Sequence, residues 1–89
     1  MGKVLIVFKV YSNPENVEKV AAGLKVLSEG ECKEVRREPI GFGIEVIRAG
    51  YVIPDKVDGA MDKLEEVVRR VEGVNEVEVE AMTLIDKML

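Results

Sequence analysis

Few side chains in this sequence are equipped to move protons or attack a substrate. There is no histidine among the 89 residues, and Cys32 is the only cysteine. Without histidine the usual general base and the nucleophile–base triads are excluded. A single thiol makes no intramolecular disulfide, and the customary nitrogen and sulfur donors of a zinc or iron–sulfur site are missing. Cys32 stands between Glu31 and Lys33 in a polar stretch, as a small, half-buried strand residue would. The acid pair Glu65-Glu66 lies four residues before Arg69-Arg70, so a helical ion-pair ladder accounts for it without general acid–base work. Gly41-Phe42-Gly43 lacks the further glycines and the Lys-Ser/Thr ending of a phosphate loop, and it joins two strands rather than opening a helix. The expectation is a protein that is not an enzyme, holds no cofactor or metal, and works by binding.

Composition narrows what is bound. Thirteen basic and seventeen acidic residues leave a net charge of −4, which repels a phosphate backbone. The one basic cluster, Lys33, Arg36 and Arg37, is interleaved with Glu34 and Glu38 and reads as a solvated strand face. The central strands also lack the paired aromatics that an RNA-reading sheet stacks on bases. The longest uninterrupted apolar run, Val4 to Phe8, is far too short to span a bilayer. No cleavage-site pattern follows it, so no signal peptide is read and the expected location is cytoplasmic. With 47% apolar and 34% charged residues, residues 1–89 read as one folded domain with one core.

The elements follow from periodicity. Lys3 to Tyr11 is nearly continuous in β-branched and large apolar residues, the pattern of a strand in the middle of a sheet. Asn13 is the expected N-cap of a helix with Pro14 in its first position. Val17, Val20, Ala21, Leu24 and Leu27 share one face of that helix. Gly23 lies off the face and weakens the helix by ~1 kcal/mol relative to alanine, and Gly30 is the expected C-cap. Glu31 to Ile40 is a polar strand whose Pro39 assigns it to a sheet edge. Ile44 to Ile53 is a second apolar strand, with a bulge expected near Ala49-Gly50. Asp58 is the expected N-cap of a second helix with the stripe Met61, Leu64, Val68 and Val71, ended by Gly73. The last strand alternates, with Val77, Val79 and Ala81 on one face and Glu76, Glu78 and Glu80 on the other.

The order is βαββαβ. Two right-handed crossovers place both helices on one face of an antiparallel sheet. With the two apolar strands central, the strand order is 4-1-3-2, an α+β ferredoxin-like sandwich. Its other face is free of helices, yet the first strand shows it Leu5, Val7 or their neighbours. That points to a docking surface, for a partner or for a second copy in a homodimer.

The stretch Glu38-Pro39-Ile40-Gly41-Phe42-Gly43-Ile44-Glu45-Val46-Ile47 closely resembles the "EPIAFGLKAL" type of signature of the archaeal elongation factor 1-beta family. The resemblance extends to the Met-Gly-Lys-Val start, Ser28-Glu29-Gly30, Asp55-Lys56-Val57 and the run Val71 to Met82, and covers essentially the whole chain. It implies a guanine-nucleotide exchange factor that binds elongation factor 1-alpha, releases GDP and lets GTP refill the site. In that family the Phe-Gly loop and the extreme C-terminus face the GTPase. The implied partner-binding residues are therefore Ile40, Gly41, Phe42 and Gly43, with Leu84 and Lys87 at the end. Phe42 is either an aromatic anchor for the partner or a plug for the end of the core. Leu84 occupies the position where the family carries a basic residue. Either Lys87, three residues on, replaces it, or Lys87 is an ordinary tail lysine. The rival reading is a ferredoxin-like regulatory or oligomerisation module that binds a small metabolite. An acylphosphatase-like enzyme is set aside, because Tyr11-Ser12-Asn13-Pro14 offers no arginine for a phosphate loop.

Overall fold

Continuous β-branched runs and two amphipathic stripes fold here into two layers. The computed structural model describes residues 2–27, 29–42, 44–54 and 59–85. Strand β1 (Lys3–Ser12) leads through a 3-10 turn (Pro14–Asn16) into helix α1 (Val17–Lys25). Strands β2 (Glu31–Gly41) and β3 (Ile44–Pro54) form a hairpin, and helix α2 (Ala60–Arg69) precedes β4 (Val74–Ile85). The sheet order is β2-β3-β1-β4, antiparallel throughout, which is 4-1-3-2 read from the other edge. The polar strands take the edges, where charged side chains protect the unpaired backbone. At one end of the sheet Lys3 is the cross-strand neighbour of Ile85.

The two helices cover one face. Ile6, Phe8 and Val10 of β1 and Ile47, Ala49, Tyr51 and Ile53 of β3 point into the core with Val77 of β4. They meet Val17, Val20, Ala21 and Leu24 of α1 and Leu64 and Val68 of α2. Burial of each valine, leucine, isoleucine or phenylalanine among them contributes ~1.5–3 kcal/mol. Phe8 and Tyr51 pack edge to face, with ring centres 6.1 Å apart. The buried Tyr51 hydroxyl donates to the carbonyl oxygen of Leu24 at 2.7 Å, tying β3 to the last turn of α1. Burial holds the Tyr51 phenol well above its ordinary pKa.

Several local expectations are corrected. Asn13 precedes the 3-10 turn and makes no side-chain cap; its Oδ1 instead accepts from Asn75 Nδ2 at 3.0 Å. Helix α1 ends at Lys25, well before Gly30, so Gly30 is not its C-cap. Gly30 sits at φ 81° just before β2, and a Cβ there would lie 3.0 Å from Ile53 Cγ2. Gly23 has a role that periodicity concealed, since its Cβ would come within 2.8 Å of Val71 Cγ1. Its absence lets α1 approach the chain leaving α2. Strand β3 pairs with β1 without a break, so the bulge expected at Ala49-Gly50 is not there. The extra residue lies on β2, at Lys33, opposite Tyr51 and Gly50. Asp58 lies outside the described residues; α2 begins after Gly59, which takes φ 77°.

The clean alternation of β4 also breaks. Phe8 pairs with Val79 but Val7 pairs with Ala81, so Glu80 is an extra residue. A single insertion reverses every later side chain. Ala81 therefore joins Val7 on the helix-free face, while Met82 and Leu84 turn to the helix side.

Candidate partner-binding site

The hairpin between β2 and β3 closes by the pairing of Gly41 with Ile44, which leaves a two-residue loop beginning at Phe42. Such a tight loop requires left-handed backbone. Gly41, the last residue of β2, leads into the loop with a positive φ of 112°, where a Cβ would meet nothing within 4 Å; the glycine is there for its backbone angle, not for space. Phe42 supplies the left-handed backbone at φ 55°, the one described non-glycine residue with positive φ. For a bulky side chain this conformation costs ~1–2 kcal/mol.

That cost brings no packing in return. Phe42 is wholly exposed, at 103% relative accessibility, so it does not plug the core. Ile40 and Ile44 beside it are also exposed, and the three make an apolar tip on the end of the sheet. Ion pairs hold its base. Arg37 Nε lies 2.9 Å from Glu45 Oε1. Arg48 on β3 reaches Glu38 on β2 and, at 2.8 Å, Glu80 on β4. The hydrogen bond that Arg48 donates to Glu80 is the chief cause raising the Arg48 pKa, so this arginine is a fixed cation linking three strands.

Leu84 lies at the opposite end. It pairs with Val4, which in turn faces Ile53. The path along β3 from Ile53 back to Ile44 is about 30 Å at ~3.3 Å per residue. Leu84 is 61% exposed and continues an apolar line through Met82 and Val79. Ile40, Gly41 and Phe42 are thus gathered at one tip, and Leu84 is apart from them. Gly43 and Lys87 lie outside the described residues. Ile44, Val79 and Met82 are exposed apolar neighbours that sequence reasoning assigned to ordinary strand positions. Only the Glu80 insertion exposes the last two as a line, and a run of alternating valines and glutamates hides it.

The described residues form an antiparallel α+β sandwich that exposes apolar groups at both ends of its sheet, the kind of surface protein-binding modules carry. Comparison with known proteins makes the class specific. Residues 3–85 match the EF-1 guanine nucleotide exchange domain. Elongation factor 1-beta of Ignicoccus hospitalis is 40% identical, with 92% of each chain covered. That of Hyperthermus butylicus is 37% identical over 98% of this chain and 99% of its own. The C-terminal domain of the MgtC protein from Mycobacterium tuberculosis shares the fold alone, with TM-score 0.63 at 15% identity over 86% of this chain and 85% of its own. The chain belongs to the EF-1 guanine nucleotide exchange family.

Proposed function

We propose that this chain promotes exchange of GDP for GTP on elongation factor 1-alpha, in the cytoplasm, by binding the nucleotide-free GTPase more tightly than the nucleotide-bound one. No covalent step is needed. Exchange by this route is differential binding: whatever factor the protein takes from GDP affinity, GDP takes from the affinity for the protein. A coupling of about 3 kcal/mol corresponds to a ~150-fold change.

The observation that carries the reading is Phe42, an aromatic side chain displayed on a left-handed loop with nothing of its own chain to pack on. An aromatic anchor of this kind suits a pocket on a protein partner, and Gly41 lets the backbone come close beside it. If the Leu84 end also touches the GTPase, as the family pattern implies, the contact surface extends over about 30 Å of sheet. Two separated contacts are a means of prising apart one nucleotide site. Pairing with a second copy is compatible with this role, because the Phe42 tip lies beyond the helix-free face.

The test is release of a fluorescent GDP from elongation factor 1-alpha. The protein is expected to accelerate release, and Phe42→Ala to lower the acceleration ~10-fold or more, within the range for a buried aromatic anchor, with thermal unfolding unchanged. An unchanged release rate at saturating protein would end the proposal.

A further inference from the structure

Phe42 is displayed on a hairpin that outruns the rest of the sheet. Pairing between β1 and β3 stops at Tyr11 opposite Val46, so Ile44 and Glu45 continue with β2 as their one paired strand. Ile40 is an extra residue between the pair Pro39 and Glu45 and the pair Gly41 and Ile44, and an insertion of this kind disrupts the ladder locally and increases its twist. A two-stranded ribbon has little stability of its own. Phe42, wholly exposed, adds no packing that would hold the tip in one direction. That direction is set from the base of the hairpin.

Two ion pairs cross the hairpin diagonally there, one on each face. On the helix side Arg37, whose direct partner is Ile47, reaches forward to Glu45 at 2.9 Å. On the helix-free side Glu38, whose direct partner is Val46, reaches back to Arg48. The two diagonals run in opposite senses, so together they resist twist and shear of the ribbon. The second is also anchored outside the hairpin. Arg48 sends Nε and Nη2 across β1 to the two carboxylate oxygens of Glu80 on β4, at 2.8 and 2.9 Å. Glu80 is the extra residue of β4, and a bulge is a means of re-aiming a side chain.

Sheet stability alone would not select this place for an arginine. The cross-strand neighbours of Arg48 are Arg36 and Lys9, and like charges directly opposite one another are unfavourable. Solvent-exposed ion pairs in turn contribute little to stability. What the arrangement provides is direction, because a guanidinium is a planar fork that grips two carboxylates at fixed angles.

We infer that Arg48 is a positioning residue: by holding Glu38 and Glu80 together it locks the Phe42 hairpin to β4 and fixes the direction in which the aromatic ring is presented. The consequence for GDP release rests on the exchange reading; the effect on the tip does not. Amide NMR relaxation of the full chain tests it. Order parameters of Ile40, Gly41, Phe42 and Ile44 are expected near ~0.85 in the wild type and to fall towards ~0.6 in Arg48→Met, with those of Ile6 and Phe8 unchanged. Glu38→Ala, which leaves Arg48 on Glu80 and cuts the link to the tip, is expected to do the same. Arg48→Lys keeps the charge without the fork and should not restore order. In GDP release, Arg48→Met is expected to raise the concentration for half-maximal effect ~5-fold with the maximal rate unchanged, as for a tip that holds its binding direction about a fifth of the time. Tip amides as ordered in Arg48→Met and Glu38→Ala as in the wild type overturn the inference. So does full order in Arg48→Lys, which would assign the effect to charge. Exchange lost with tip order intact also overturns it, since Arg48 would then touch the GTPase itself. A wild type that releases no GDP defeats the exchange reading alone, and the order parameters still decide the role of Arg48.

Discussion

At the scale of single residues, conformation and function separate most clearly at Phe42. Asparagine tolerates φ near +55° far better than phenylalanine. Phe42→Asn should therefore leave urea stability unchanged or raise it by up to ~1 kcal/mol while reducing exchange. A residue kept for folding would show the reverse. Tyr51 is such a residue. Tyr51→Phe strands the buried Leu24 carbonyl and should lower stability by ~1–3 kcal/mol. The same hydroxyl sets a pH dependence. Its pKa is raised in the fold, so above the ordinary phenol value of about 10 the unfolded chain ionises first. The stabilisation is then whole below pH ~10 and lost as pH rises further, at a slope approaching ~1.4 kcal/mol per unit. Alkaline unfolding curves of wild type and Tyr51→Phe should converge as pH climbs above 10.

At the scale of elements, the strands and helices were legible because their signals are local. A nearly continuous apolar run marked β1 as central, and Pro39 with the charges around it marked β2 as an edge. The exceptions are contacts between residues distant in the chain. Gly23 looks like a defect in α1 until Val71, on the other side of the helical layer, comes within 2.8 Å of its missing Cβ. Helix propensity favours Gly23→Ala by ~1 kcal/mol, and a stiff valine so close opposes it. The crowding should win, leaving Gly23→Ala less stable by ~1 kcal/mol. A double-mutant cycle with Val71→Ala should then return a coupling of at least ~0.5 kcal/mol. The Glu80 insertion was equally hidden, because the residues on either side keep the valine–glutamate rhythm. That one residue moved Leu84 to the helix side and made Val79 and Met82 part of an exposed line. In the candidate site, Phe42 and its neighbours were legible from resemblance alone; that Phe42 packs on nothing required the fold.

At the scale of the whole molecule, protection should follow the sheet order. Amides of β1 and β3, paired on both sides, should exchange with solvent most slowly, and those of the outer edges of β2 and β4 fastest. Hydrogen exchange read by mass spectrometry checks this order. The pairing of Lys3 with Ile85 has a practical corollary. Entry to the fold and exit from it lie side by side, roughly 5 Å apart as cross-strand neighbours, with the Phe42 loop at the far end. The domain can therefore be grafted into a surface loop of a carrier protein without pulling its sheet open, with its aromatic tip displayed outward from the host.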